Sequence, residues 1–65
     1  MNFKATLFAD ALQNSLQEQT KVTVFFGGQR LEGVVSGIQG DNIELRVASR
    51  RCLIRIDRID AVMRE

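Results

Sequence analysis

The shortness of the connections between apolar segments constrains the fold of this chain more than any other feature. From Lys21 onward, apolar residues recur at every second position in brief runs, and only a few residues separate each run from the next. Such alternation is typical of strands that bury one face. Parallel strands need crossovers of about a dozen residues or more. Consecutive strands of this chain are therefore expected to pair antiparallel.

The alternation predicts five strands, at residues 22–26, 30–38, 43–47, 51–56 and 59–63. Gly27-Gly28 separates the first two, because a glycine pair adopts the positive φ angles of a tight hairpin at little steric cost. Residues 40–42 form the second turn and residues 48–50 the third. The sequence contains no proline, so no position in these strands lacks a backbone donor.

The second strand changes parity along its length. Leu31 and Ile38 cannot lie on the same face of a flat ribbon, although both are apolar. Glycine inside a strand often marks a bend or bulge. We therefore predict that the parity changes at Gly33, where the sheet turns a corner.

The segment before the strands has the spacing of a helix. Its apolar residues fall three and four positions apart and form one stripe: Phe3, Leu7, Phe8, Ala11, Leu12 and Leu16. One helix followed by five short strands predicts a mainly β fold, a strongly bent five-stranded antiparallel barrel capped by an N-terminal α-helix. We expect one domain, residues 1–65, with the helix in residues 1–20 and the barrel in residues 21–65.

Composition argues against catalysis. The chain has no histidine and a single cysteine, Cys52, so the commonest general base and metal ligand are missing and no intrachain disulfide can form. Cys52 lies in an alternating strand, where a small buried apolar role is more frequent than a reactive thiol. We expect a protein that is not an enzyme, with no cofactor and no metal site. No apolar run reaches the roughly 20 residues of a membrane span, which predicts a cytoplasmic protein without a membrane partner.

Charge is unevenly distributed, although the formal net charge is only +1. Residues 1–45 carry three basic and five acidic side chains (−2), whereas residues 46–65 carry six arginines and three acidic side chains (+3). The guanidinium fork suits phosphates and base edges. The same arginines could equally form ion pairs on a solvated sheet.

The order of glycines and apolar residues resembles the Sm-like family of small RNA-binding barrels, which includes the LSm and Hfq-like proteins. The first motif of that family is matched by Val22, Val24, Phe26, Gly28, Leu31, Gly33, Val35, Ile38, Ile43 and Leu45. The second is similar to residues 54–59, with Ile56 in place of a glycine. The chain departs from the family at Gln39, where an acidic residue is usual, and it lacks both the arginine cluster after the helix and the Lys-His pair of the Hfq-like members.

The resemblance implies an RNA site around the pore of a ring, where two turns approach each other. The matching positions are Gln39, Asp41, Asn42, Arg55 and Asp57. Arginine and asparagine suit stacking and base-edge contacts with single-stranded RNA. The alternative is that Asp41 and Asn42 only form a turn and that Arg55 only pairs with Asp57.

A second candidate RNA surface lies beside the first hairpin, on the opposite face of such a ring. Phe25 is out of phase with the buried face of its strand, and next to Gln29 and Arg30 it could stack on an adenine. Alternatively, Phe25 packs under the N-terminal helix or in a subunit contact. Arg50, Arg51 and Arg58 could follow a phosphate backbone, or could simply be solvated.

The last two strands predict self-assembly. In Sm-like rings the edge strand of one subunit pairs with the edge strand of the next, and a protected edge would instead carry charge or proline. The candidate interface residues are Leu53, Ile54, Ile56, Ile59, Ala61, Val62 and Met63. We expect a cyclic homo-oligomer, a hexamer or heptamer.

Two functions are consistent with these features. The first is a homo-oligomeric ring that binds single-stranded RNA and regulates gene expression after transcription. The second is a protein-interaction module, because some Sm-like proteins, such as the inhibitor of the transcription terminator Rho, bind a protein. The near-neutral charge favours the second function, and the arginine-rich last third favours the first.

Overall fold

One helix and five strands follow one another along the chain. The computed structural model describes the backbone of residues 3–64 and the side chains of residues 8–64. Helix α1 is Phe3–Glu18, and the strands are β1 (Lys21–Phe26), β2 (Gln29–Gln39), β3 (Asn42–Val47), β4 (Arg50–Arg55) and β5 (Ala61–Arg64). The predicted mainly β fold with an N-terminal helix is confirmed. The side chains of Phe3 and Leu7, and residues 1, 2 and 65, lie outside the described part.

The five strands form one antiparallel sheet in the order β4-β3-β2-β1-β5. The first hairpin closes at Gly27 and Gly28, whose φ angles are 55° and 77°, as the glycine pair predicts. Strands β4 and β5 lie at the two ends of this order. Each is therefore paired on one side only within the chain.

The core lies between one face of the sheet and helix α1. Its buried members alternate along the strands, and Leu12 joins them from the helix: Val22, Val24, Val35, Ile43, Leu45, Ile54 and Ile59. Phe8 and Leu16 of the helix stripe pack against this cluster. Cys52, on the same face of β4 as Ile54, is half-buried, consistent with a small packing role.

The parity of β2 changes at Ser36, not at Gly33. Leu31, Gly33 and Val35 keep one parity, and the register with β3 shifts between Val35 and Gly37. This bulge brings Ile38 back to the core-facing side. The prediction at Gly33 was wrong because glycine serves another purpose there. A Cβ on Gly33 would overlap the carbonyl oxygen of Arg46, so the residue permits a close backbone approach.

The last strand begins later than predicted. Residues 56–58 form a 3-10 turn after β4, and β5 starts at Ala61. Ile59 precedes the strand and is fully buried in the core. The backbone N–H of Asp60 then donates to the carbonyl of Phe25 at 2.7 Å, which starts the contact with β1.

A buried hydroxyl connects the helix to the bent strand. Ser15 has no exposed surface. Its Oγ donates to the carbonyl of Thr20 at 2.6 Å and accepts from the backbone N–H of Val35 at 3.1 Å. Val35 directly precedes the bulge, so this side chain provides a partner for a buried backbone donor where the ladder is irregular.

We predict that Ser15→Ala lowers the free energy of unfolding by about 1–3 kcal/mol, because it leaves the buried N–H of Val35 without its acceptor. Urea denaturation followed by circular dichroism measures the change. Ser49→Ala, the same substitution at an exposed turn position, is the control and should change stability by less than about 0.5 kcal/mol. Equal effects of the two substitutions would contradict this role of Ser15.

The same assay distinguishes two glycines of β2. We predict that Gly33→Ala lowers the free energy of unfolding by about 1–3 kcal/mol or more, because the added methyl group meets backbone atoms instead of a flexible side chain. Gly37→Ala is the matched control, since its Cβ would lie 3.8 Å from the nearest atom, Cβ of Glu44. A Gly33→Ala protein as stable as Gly37→Ala would show that the strands do not approach so closely.

Candidate nucleic-acid interface

The structure brings together the five residues expected near a pore. Gln39 faces Asn42 across the β2–β3 turn, and Asn42 faces Arg55 of β4. The backbone N–H of Ile56 donates to the carbonyl of Asp41 at 2.7 Å, which fixes the turn against the end of β4. The predicted grouping is therefore present, and the candidate side chains are exposed. Their role in RNA binding stays a prediction.

The charges of this cluster partly cancel. Nη2 of Arg55 lies 3.1 Å from Oδ2 of Asp57, the pair that the sequence left open as an alternative. The two side chains remain 60% and 54% exposed. An ion pair this exposed contributes about 0–1 kcal/mol. A phosphate could therefore compete for the guanidinium at small cost, although Asp41 adds a further carboxylate to the turn.

A depression of about 240 Å³ lies next to this cluster, and Gln39, Asn42, Glu44 and Leu53 contribute to its lining. Oγ of Ser36, the bulge residue, donates to Oε1 of Glu44 at 2.8 Å. Nε of Arg51 is 4.0 Å from the same oxygen. These contacts hold the Glu44 carboxylate against the sheet. These contacts were not predicted from the sequence, because the bulge was expected at Gly33.

The second candidate surface is built on the first hairpin. Phe25 of β1 faces Arg30 of β2, and Phe26 faces Gln29. Phe25 is half-buried on the face of β1 opposite to Val24, and it is not among the apolar side chains that pack on the core. Helix α1 contributes Leu12 to the cluster on the other face of β1, which disfavours the alternative that Phe25 packs under the helix. A role in RNA stacking or in a subunit contact remains a prediction.

The guanidinium of Arg30 is more available than that of Arg55 for contact with a ligand. The ion pairs of the described residues join Arg51 to Glu44 and Arg55 to Asp57, and Arg30 takes part in neither. A groove of about 440 Å³ runs along this surface, lined by Phe25, Phe26, Gly28, Gln29, Arg30 and Asp60. An aromatic ring beside an unpaired guanidinium has the chemistry of a base-stacking site.

Asp60 is a structural member of this surface that the sequence did not reveal. Its Oδ2 accepts a hydrogen bond from the backbone N–H of Gly27 at 3.1 Å, and its own N–H donates to Phe25. These bonds link the hairpin turn to the start of β5. An aspartate separated by about thirty residues from its partner leaves no local signal in the sequence.

The two outermost strands expose apolar side chains. Leu53 of β4 is 76% exposed and Met63 of β5 is 54% exposed. Ala61 is also exposed, and Ile56 and Val62 are half-buried. Ile54 and Ile59 of the predicted interface instead belong to the chain's own core, because their strand positions face inward. The role of all seven residues in a subunit contact stays a prediction.

Two further properties of the described residues bear on function. No described helix is long and apolar enough to span a membrane. Within the same part of the chain, no three side chains of the metal-ligating types are grouped together.

Comparison with known proteins supports the fold through solved structures. No family model matches the chain, and no curated protein matches it. A 1.55 Å crystal structure of Hfq, a pleiotropic translational regulator, superposes with a TM-score of 0.80 and 29% sequence identity, and the match covers 100% of both chains. The resemblance predicted from the glycine and apolar pattern is confirmed at the level of the fold.

Proposed function

We propose, on the premise that this chain has the Sm-like fold of Hfq, that it assembles into a closed ring and that the ring binds single-stranded RNA to regulate gene expression after transcription. The observation that carries the proposal is the full-length match to a translational regulator, together with two unpaired edges that expose Leu53 and Met63. A fold alone does not define a function. The unpaired edges of β4 and β5 and the two candidate RNA surfaces provide the further support.

Self-assembly is supported by the chemistry of the two edges. An exposed edge strand offers unpaired N–H and C=O groups to another chain, and a domain of 65 residues buries little core by itself. Antiparallel pairing of β4 with β4 about Leu53 would place Arg51 opposite Arg55 of the other copy, which is destabilising. Pairing of β4 with β5 avoids this. Because the two edges differ, such contacts run head to tail, and they form a ring when the rotation from one copy to the next closes.

RNA binding is supported by the surface around Phe25 and Arg30. Arg30 is free of ion pairs among the described residues, and Phe25 presents part of its ring. Stacking on an aromatic ring contributes about 1–3 kcal/mol per base. A ring repeats this surface once per subunit, so weak single contacts add up along one strand of RNA. The Asn42 and Arg55 cluster is the second candidate, with its charges partly compensated.

We predict that Leu53→Asp reduces the mass of the assembly in light scattering, because it puts a charge where an apolar side chain would be buried. Burying leucine contributes about 1.5–3 kcal/mol, so the subunit dissociation constant should rise at least about tenfold. Ser49→Asp adds the same charge at an exposed turn and should leave the mass unchanged. A wild-type protein that stays monomeric at high concentration would refute the ring.

We predict that the protein binds short A-rich or U-rich RNA in a salt-sensitive manner, because phosphate contacts release counterions. Fluorescence anisotropy at two salt concentrations measures this. Phe25→Leu keeps an apolar side chain but removes the stacking ring, and it should weaken binding about tenfold. Arg55→Ala tests, in the same assay, the turn cluster formed by Gln39, Asp41, Asn42, Arg55 and Asp57.

The outcomes separate the candidate surfaces and functions. Loss of affinity in Phe25→Leu alone locates the RNA on the hairpin face, and loss in Arg55→Ala alone locates it at the turn cluster, provided that the mass of each variant is unchanged. Absence of binding by the wild-type ring at low salt would contradict the RNA function. That result would favour a protein-binding module.

A further inference from the structure

We infer that Glu32 makes the hairpin face select guanine, because its carboxylate accepts the N–H groups of a guanine that stacks on Phe25. The hairpin face is the outer surface of β1 and β2 that carries Phe25 and Arg30. This inference rests on the proposed RNA binding and names the base that binds there most tightly. It follows from the register of β1 with β2 and from a carboxylate that has no partner among the described residues.

Glu32 lies on the same face of the sheet as Phe25. In the antiparallel register Phe25 faces Arg30, and Thr23 faces Glu32. Side chains two positions apart on a strand point to the same side, so all four share the face opposite to Val24. Glu32 is therefore the diagonal neighbour of Phe25. Such neighbours lie about 7–8 Å apart, within reach of aromatic and long side chains.

A depression of about 380 Å³ lies on this face beside Glu32. It is lined by Thr23, Arg30, Glu32 and Met63, and Arg30 also lines the groove of Phe25. Thr23 lies between Glu32 and Met63 in the register of three neighbouring strands. It is only 8% exposed, so it forms the floor. A base stacked in the groove of Phe25 can therefore extend past Arg30 into this depression.

The carboxylate of Glu32 is available to a ligand. The ion pairs of the described residues use other carboxylates, those of Glu44 and Asp57. No side-chain hydrogen bond within the described part of the chain involves Glu32, and its side chain is exposed. A negative charge on an RNA-binding surface opposes the phosphates. It weakens binding there unless it also contacts a base.

Guanine is the base that matches an ionised carboxylate best. Such a carboxylate only accepts hydrogen bonds, through two oxygens. Guanine presents two adjacent donors on its Watson–Crick edge, N1–H and the N2 amino group, so both oxygens are used at once. Adenine and cytosine place an acceptor next to their amino group, and uracil places its N–H between two acceptors. Base edges of this kind are read in single-stranded RNA, where the bases are unstacked from one another.

The neighbouring side chains suit the rest of the nucleotide. Stacking on Phe25 tolerates every base, so selection depends on the contact at the base edge. A purine ring system is broad enough for its edge to extend beyond the phenyl ring toward the diagonal neighbour. Arg30 is exposed on the same face, where its guanidinium can contact a phosphate and offset the charge of Glu32. Stacking, charge and base selection are thus divided among three side chains.

The preference is measured by fluorescence anisotropy with an A-rich RNA and with the same RNA carrying one guanine in place of an adenine. We expect the guanine RNA to bind about tenfold more tightly, because a bidentate contact discriminates to this extent. Inosine at the same position lacks the N2 amino group and should bind with intermediate affinity.

Glu32→Gln keeps the size of the side chain and removes its charge. It should reduce the preference for guanine to less than about threefold, because a neutral amide makes a weaker contact. Affinity for the A-rich RNA should stay the same or rise, since a repulsive charge is lost. Glu18→Gln removes the same charge from an exposed position at the end of the helix and should retain the full preference.

The outcomes separate the role of Glu32 from RNA binding itself. Equal binding of the guanine and adenine RNAs, inosine binding as tightly as guanine, or a preference that Glu32→Gln retains would overturn the inference and leave RNA binding intact. A loss of both affinities together in Glu32→Gln would also overturn it, because that result indicates a structural role. Failure of the wild-type protein to bind any of the RNAs at low salt would contradict the proposed function.

Discussion

The hydrogen bonds of the Ser15 hydroxyl hold together the two parts on which the rest of the structure depends, the helix and the bent strand. Strand β2 pairs with β1 along its first half and with β3 along its second half. The bulge at Ser36 lets it face the core in both halves. Ser15 bonds the N–H of Val35 next to that bulge and the carbonyl of Thr20 after the helix. The helix is thereby positioned over the core.

The sheet leaves two strand edges unpaired within the chain. Strands β4 and β5 lie at opposite ends of the strand order, and each retains unpaired backbone groups together with an exposed apolar side chain. Neither edge is blunted by proline, and the arginines of β4 discourage pairing of β4 with itself. Exposed edges of this kind would make an isolated domain prone to aggregation, and in the proposed assembly one edge would cover the other.

The sequence predicted the parts of the fold that depend on local rules. Helix spacing, the Gly27-Gly28 turn and the period-two alternation each have a local physical cause. The ion pair of Arg55 with Asp57 is also local, because it joins residues two positions apart in the sequence. The bulge was misplaced because Gly33 was the visible irregularity, whereas the register shift occurs at Ser36. The contacts of Ser15 and Asp60 join residues far apart in the chain. For Ser15, the sequence offered one hint, which is that a polar residue lies within the apolar stripe of the helix.

The same distinction between local and long-range contacts decides which features of the candidate surfaces could be predicted from the sequence. The period of β1 placed Phe25 away from the core, and the turns brought Asn42 near Arg55, as expected. Arg30 forms no ion pair with the carboxylates of the described residues; the sequence could not predict this, because it depends on where those carboxylates lie in the fold. Ile54 and Ile59 of the predicted interface are buried in the core of their own chain, and the interface itself stays a prediction.

Amide hydrogen exchange tests the central claim, that the two edges pair between copies, most directly. The alternation of hydrogen bonds along an antiparallel ladder directs the amides of Leu53 and Val62 to the unpaired sides of β4 and β5. In a monomer these amides should therefore exchange as rapidly as exposed loop amides. The account predicts protection of both at concentrations where the protein is assembled, and loss of that protection on dilution. Rapid exchange of both amides in the assembled protein would contradict it.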